Sequence, residues 1–245
     1  MPSAVTSPVA VQCAAAKTRS SAAVVDADCL MSAGPSGYQT GSQQSPHAVH
    51  EPMPARIESV TQLPGWLSST LAADGAGGAG ALPPWIRALS PEATVAGPAL
   101  VVEVGADDNS PMRDVPARVT GSGTVLVVAG AAESRTAVLG DLIAAELLRA
   151  GVAAVVTDGL IRDSRAVAAA GLPVWARGTT PVASRKDGVG TVGGSVVIGA
   201  VPVTDGDLVV ADADGVVVWP AAGIDDYLAR ADEKRLADDK RAAAG

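Results

Sequence analysis

The segment Asp158-Gly159-Leu160-Ile161-Arg162-Asp163 closes the apolar run Val152-Ala153-Ala154-Val155-Val156. A strand that ends in a glycine turn and then presents an arginine beside a carboxylate can hold an anion and a hard metal. Arg162 offers a fixed fork of donors to a carboxylate or an enolate oxygen. Asp163 offers a ligand to Mg²⁺, which takes one or two carboxylates and keeps several waters. Upstream, Gly140-Asp141-Leu142-Ile143 opens a predicted helix whose unpaired backbone N–H groups form a second anion site. In that reading the N–H groups of Leu142 and Ile143 point at a ligand oxygen, and Asp141 faces a metal-bound water. Each motif alone has a commoner, plainer reading: an exposed loop pair for Arg162-Asp163, and ordinary N-capping for Asp141. Their connection raises both. One short helix and one returning strand bring the start of the helix beside the end of the strand, where α/β sheets place ligands.

Little else in the chain could do the chemistry. His47, His50, Cys13 and Cys29 all lie in the first fifty residues, and from residue 51 onward there is no histidine or cysteine. A Ser-His-Asp triad, a Cys-His pair and a His/Cys zinc site are thereby excluded from the rest of the chain. Lys186 is the only lysine between Lys17 and the C-terminal helix. Its neighbours Ser184, Arg185, Asp187 and Gly188 describe a solvated loop rather than the desolvated pocket that activates a Schiff-base lysine. Gly188-Val189-Gly190-Thr191-Val192-Gly193 fits G-x-G-x-x-G, but a polar loop precedes it and a strand follows, so it is expected to be a turn between strands.

The surrounding chain bounds the class. Residues 1–54 are rich in Ser, Ala, Pro and Gln without sustained periodicity, and are expected to be a disordered extension or an over-called start. They lack the continuous apolar core of a secretory signal. Setting aside Lys17, Arg19, Asp26, Asp28 and Glu51 leaves residues 53–245 with 16 basic and 23 acidic side chains, which argues against a nucleic-acid binder. No apolar run approaches the ~20 residues of a membrane span. A cytoplasmic protein with one folded domain at 55–245 is the expectation. Its core contains no phenylalanine; valine, alanine, leucine and isoleucine supply the volume, with Trp66, Trp85, Trp175 and Trp219 as the large aromatics.

Hydrophobic patterning predicts a helix over 57–73 interrupted at Pro64-Gly65, a flexible loop at 76–80, and strands at 99–104, 124–129 and 152–157. A helix is predicted over 141–150, with Asp141 as N-cap and Gly151 as C-cap, and a short one over 164–170. After Pro173 come strands at 174–176, 195–203, 207–210 and 215–219, with a hairpin signal at Asp212-Ala213-Asp214-Gly215. Ile224, Tyr227, Leu228 and Ala231 mark a final helix. Alternating strands and helices followed by a β-rich half predict an α/β domain with helices layered on sheets.

Gly140–Ile143, Asp158–Asp163, Val174–Pro181 and Pro202–Trp219, in that order, resemble the RraA-like family. It includes the 4-hydroxy-4-methyl-2-oxoglutarate/4-carboxy-4-hydroxy-2-oxoadipate aldolases and the regulator of ribonuclease E activity A. The resemblance implies a swivelling-type layered β/β/α fold, assembled as a homotrimer or hexamer with sites at subunit interfaces. It implies a divalent metal, Mg²⁺ or Mn²⁺, with Asp163 as direct ligand and Asp141 holding a metal-bound water. Arg162 would bind the keto oxygen and stabilise an enolate, while Gly140, Leu142 and Ile143 would bind the pyruvate carboxylate. The implied activity is aldol cleavage of 4-hydroxy-2-oxo acids to pyruvate, with oxaloacetate decarboxylation through the same enolate. The other implied role is a non-catalytic trimer that binds a protein such as a ribonuclease. Ala166 stands where the aldolases usually carry an acidic residue. A glutamate supplied by the neighbouring subunit's C-terminal region has Glu233, Asp238 and Asp239 as candidates here. A methyltransferase reading finds no strand–loop–helix unit for a nucleoside.

Overall fold

Four short apolar runs lie side by side because each is buried on both faces, which makes them continuous rather than alternating. The computed structural model of the protein describes residues 63–244, so the extension expected at 1–54 and the start of the first predicted helix lie outside the described residues. The elements run α1 (Ser69–Gly75), β1 (Arg87–Ala88), β2 (Val95–Val104), β3 (Thr124–Ala129), β4 (Ala137–Leu139), α2 (Asp141–Ala150), β5 (Val152–Thr157) and β6 (Leu160–Ile161). Beyond these come α3 (Ser164–Ala169), β7 (Val174–Ala176), β8 (Gly178–Thr179), β9 (Gly190–Val192), β10 (Ser195–Ile198), β11 (Val201–Thr204), β12 (Leu208–Ala211), β13 (Val216–Trp219) and α4 (Ile224–Ala244).

The main sheet has the order β1-β7-β5-β3-β2-β12-β13, with β2, β3, β5 and β7 parallel. β12 pairs with the first half of β2 and β9 with its second half, so one edge of this long strand serves two partners in succession. Side-chain alternation then sorts the core into layers. Leu100, Val102, Leu126, Val128, Val155 and Val174 face α2 and α3, where Ala144, Leu147 and Val167 pack on them. Val101, Val125, Val127, Val156 and Trp175 face the opposite way, against Val196, Ile198 and Val203 of the β10–β11 hairpin. A third cluster packs α1 and α4 onto the outer face of β12 and β13 around Trp219. The expected layered α/β architecture is what forms.

A second, three-stranded sheet positions the site. Each of β3, β5 and β7 runs on past its end into a short strand (β4, β6 and β8), and these three pair in parallel in the order β4-β6-β8. The C-terminal ends of three sheet strands are thereby handed to a small platform whose own ends carry Gly140 and Arg162. Tight junctions make the handover possible. A Cβ on Gly159 would lie 2.7 Å from the Ala131 Cβ and 2.9 Å from Val138 Cγ1. The Asp158 carboxylate accepts the N–H groups of Gly130 and Ala131 at 3.0 Å each, tying the ends of β5 and β3 together.

Several boundaries differ from expectation. The N-cap of α2 is Gly140, and Asp141 is the first helical residue, because the extended backbone of Gly140 already aims its carbonyl at the Ala144 N–H. The Gly151 C-cap has the left-handed backbone expected of it (φ 96°). The early helix begins only at Ser69, since Pro64 and Gly65 form a turn and the Ser68 side chain caps α1 by accepting the Leu71 N–H. The run at 195–203 is two strands, folded back at the positive-φ Gly199. β2 starts at Val95, through Gly97 and Pro98, where glycine and proline hid the strand from its propensities; Gly97 has backbone neighbours so close that no side chain fits.

Leu126 sits fully buried in the middle of β3. Leu126→Ala is expected to lower unfolding stability by roughly 2–5 kcal/mol, read as a shift of the urea midpoint at unchanged slope.

Candidate active site

Arg162 comes directly after β6 and donates its backbone N–H to the Leu139 carbonyl at 3.0 Å, which continues the small parallel sheet by one bond. The chain then turns sharply. Asp163 adopts a left-handed backbone (φ 54°, ψ 33°), a conformation Asp tolerates better than most residues. It stands at the cap of α3, yet within the described residues its side chain makes no cap bond. Its carboxylate turns back instead to the Arg162 Nε at 3.3 Å, with side-chain exposures of 38% for Arg162 and 41% for Asp163. A non-glycine residue held left-handed, with its charge directed away from the helix it begins, is the kind of strain that collects at functional sites.

Gly140 packs against this pair. A Cβ built on it would lie 2.7 Å from Asp163 Oδ2 and 2.9 Å from both Cγ and Nε of Arg162. The absence of a side chain therefore lets the start of α2 reach the arginine–aspartate pair. Asp141 and Leu142 occupy the first turn of α2. The Leu142 N–H donates to the Asp141 carboxylate at 2.8 Å, so one of the two donors expected to meet a ligand is held by the neighbouring acid. The Leu142 side chain is 72% exposed beside the site, large and apolar.

Two adjoining cavities share Arg162. The larger, about 540 Å³, is lined by Asp141, Arg162, Asp163, Arg165, Ala166 and Thr180 among others. The smaller, about 200 Å³, is lined by Gly140, Leu142, Ile143, Arg162, Asn109 and Lys186 among others. The other five residues singled out from the sequence thus lie around Arg162, the acids lining one cavity and Gly140, Leu142 and Ile143 the other.

The structure adds two residues. Lys186 lies on an exposed loop, as its neighbours indicated, but that loop folds over the smaller cavity and brings the ammonium group to its wall. There Nζ donates to Asn109 Oδ1 at 2.8 Å, and the Asn109 amide donates to the Val138 carbonyl at 2.8 Å. Asn109 carried no sequence signal, being a single amide in a loop. Of the C-terminal acids, Asp238 is paired by Lys234 and Arg241 and Asp239 by Arg235, while Glu233 has no ion pair among the described residues. Gly188–Gly193 forms a turn and the strand β9, without the helix a nucleotide site needs.

The donor set suits a hard divalent cation. Among the described residues no three His, Cys, Asp or Glu side chains gather as a complete cage. Asp163 and Asp141 line one cavity, which matches the one or two carboxylates plus waters by which Mg²⁺ is usually held.

Comparison with known proteins agrees on one family. The model of the RraA-like family, described as Aldolase/RraA, matches residues 69–218. A Halalkalibacterium halodurans protein provisionally named a 4-hydroxy-4-methyl-2-oxoglutarate aldolase is 34% identical over 190 residues, spanning 78% of this chain and 90% of that one. The RNA-processing inhibitor RraA from Thermus thermophilis superposes with a TM-score of 0.56 at 30% identity, over 63% of this chain and 93% of its own. Streptomyces coelicolor RraAS2, an unusual member of the RNase ES inhibitor RraA family, gives 0.64 at 30% identity, over 72% and 93%.

The geometry has two measurable consequences. Gly140→Ala is expected to fold with a thermal midpoint within a few degrees of wild type, because the atoms in its way belong to two partly exposed side chains and not to backbone, while a crystal structure shows the Arg162–Asp163 pair displaced. The Asp108 carboxyl, beside this site, is held at about 2, chiefly by the Ser110 hydroxyl. A depressed carboxyl stabilises the fold above its unfolded value of about 3.9 and loses that contribution as pH falls through about 2. The gap in urea midpoint between wild type and Asp108→Asn should therefore be full at neutral pH and narrow towards pH 2.

Proposed function

Because this chain belongs to the RraA-like family, we propose that it is a divalent-metal-dependent carbon–carbon lyase that cleaves 4-hydroxy-2-oxo acids to pyruvate and decarboxylates oxaloacetate. The observation that carries this reading is Arg162, placed between two cavities and packed against Gly140 and Asp163. Such a site holds a 2-oxo acid by both oxygens of its reactive end. The 1-carboxylate lies at the start of α2, against the Ile143 N–H, with the Leu142 N–H added when Asp141 turns away from it. The guanidinium of Arg162 meets the 2-oxo oxygen.

In aldol cleavage the 4-hydroxyl loses its proton and the C3–C4 bond breaks. Its electron pair moves into the pyruvate enolate, whose oxygen carries the new charge. Arg162 stabilises that oxygen through preorganised donors, and its interaction strengthens as the charge develops. Asp141, reached through water, takes the hydroxyl proton and returns one to C3. Oxaloacetate breaks the same C3–C4 bond with carbon dioxide as the departing fragment, and since it has no hydroxyl proton to give, the proton added to C3 comes from the water at Asp141. Asp163, with waters, would hold a divalent cation, Mg²⁺ or Mn²⁺, which would supply Lewis-acid polarisation of the 2-oxo group. Lys186 offers a fixed cation to a second carboxylate on the substrate. The exposed apolar surface at Leu142 fits a homotrimer or hexamer in which a neighbouring subunit closes the site, and Glu233 is then the C-terminal acid most available to it.

The similarity to RraA inhibitors of RNA processing favours a second reading, a non-catalytic oligomer that binds a ribonuclease. The two readings separate by turnover. Wild-type protein with Mg²⁺ or Mn²⁺ is expected to release pyruvate from oxaloacetate above the metal-only rate and to stop when excess EDTA is added. Arg162→Ala should reduce kcat by at least about a hundredfold, the scale of losing one oxyanion donor. Asp163→Asn should abolish Mn²⁺ binding measured by calorimetry. No pyruvate release above the metal-only rate would sink the lyase reading in favour of the binding protein, while metal-independent rates would overturn the metal dependence and a fully active Arg162→Ala the role given to Arg162.

A further inference from the structure

We propose that Asp108, acting with Ser110, is the positioning residue that fixes Lys186 at the site, and so sets the preference for substrates bearing a second carboxylate; this rests on the lyase reading above. The loop carrying Lys186 lies on the surface, where an unsupported lysine would sample many rotamers and bind an anion weakly. It is held instead by the four-residue segment Asp107–Ser110, which grips it on both sides of the lysine.

On the N-terminal side, the Arg185 N–H donates to the Asp107 carbonyl at 2.9 Å and the Asn109 N–H to the Arg185 carbonyl at 3.3 Å. On the C-terminal side, one carboxylate oxygen of Asp108 accepts the N–H groups of Asp187 at 2.8 Å and Val189 at 3.3 Å. Its other oxygen accepts the Ser110 N–H at 2.7 Å and the Ser110 hydroxyl at 2.6 Å. That hydroxyl oxygen in turn accepts the Gly188 N–H at 2.8 Å. Three successive backbone donors after Lys186 thus end on Asp108 or on the serine it orients. Both side chains are buried, Asp108 at 3% and Ser110 at 4% exposure.

The same segment reaches the platform of the active site. The Asp107 carboxylate accepts the N–H groups of Arg135 and Thr136, at 2.9 and 3.1 Å, just before β4. Asn109 donates to Val138 within β4, the strand that leads into Gly140. One segment therefore indexes Lys186 against the strand that presents the start of α2. The distance between the cation and the binding site of the 1-carboxylate is set by Asp107–Ser110 rather than by the surface loop, and that distance selects dicarboxylates.

Asparagine at 108 keeps the shape but has one accepting oxygen, so one pair of donors would face an amide N–H₂. With 4-hydroxy-4-methyl-2-oxoglutarate, whose second carboxylate stays charged through the cleavage, Asp108→Asn is expected to raise KM about tenfold while kcat changes less than about threefold. Its loss in kcat/KM on 4-hydroxy-4-methyl-2-oxoglutarate should exceed, by a similar factor, its loss in the exchange of pyruvate methyl protons with deuterated water, since pyruvate has no second carboxylate. Ser110→Ala should move KM in the same direction by a smaller factor, which serves if Asp108→Asn does not fold. The decisive comparison is a double-mutant cycle with Lys186→Met. If Asp108 acts through Lys186, the double variant matches Lys186→Met alone. An Asp108→Asn protein with wild-type KM, or one whose loss is undiminished in the Lys186→Met background, overturns the positioning role and leaves the lyase intact. A wild-type protein inert in both assays overturns the lyase reading and this assignment with it.

Discussion

The active region depends on a close approach between backbone and side chain at Gly140. β4 ends against the arginine and aspartate that come after β6, and there is no room between them for one methyl group. The backbone of Gly140 is extended, so glycine is needed there for space rather than for an unusual torsion. Because the approach is this close, the first turn of α2, with its positive end, comes to within reach of Arg162. The left-handed turn at Asp163 completes the arrangement, directing a carboxylate to the arginine instead of to the helix it begins. The two short strands β4 and β6 bring these three residues together.

Around this centre, carboxylates hold the loops in place. A core of valine and alanine gives short strands, and short strands leave many connecting N–H groups that need acceptors. Asp107, Asp108, Asp158, Asp205, Asp207 and Asp212 each accept backbone N–H groups from other parts of the chain. For Asp158 burial pushes the carboxyl up, opposed by the N–H groups of Ala131 and Gly130 and by the Arg177 guanidinium. Asp141 and Asp163 differ in kind. Each lines an open cavity, and among the described residues each is engaged only by its immediate neighbour, Leu142 N–H or Arg162. A carboxylate with spare acceptor capacity facing a cavity can bind a cation or move a proton; one saturated with backbone donors cannot. That contrast separates the acids of the scaffold from those of the site.

The elements legible in the sequence were those whose signals are local. Valine runs at 124–129 and 152–157, the Gly151 cap, the hairpin at 212–215 and the amphipathic start of α4 all depend on neighbours a few residues away. The elements that were not legible lacked such signals. β4, β6 and β8 are two or three residues long and are strands only because they pair with one another. The first half of β2 carries glycine and proline, and becomes a strand because β12 lies beside it. The N-cap of α2 moved by one residue from the acid to the glycine, since the cap is decided by backbone direction rather than by side-chain type.

The candidate site divides along the same line. Arg162, Asp163 and the Gly140–Ile143 turn were visible in the sequence because residue types that bind anions and metals sit at the ends of apolar runs, and one short α/β unit connects them. Their chemical character, the absence of histidine and cysteine from residue 51 onward, and the family resemblance needed no coordinates. Only the tertiary structure decided that Lys186 belongs beside them. Its loop has no periodicity and its own neighbours are polar, so the information that places it lies far away in Asp107–Ser110. Hydrogen bonds between segments distant in the chain are formed by folding, and a sequence read locally holds the donors and acceptors without their pairing.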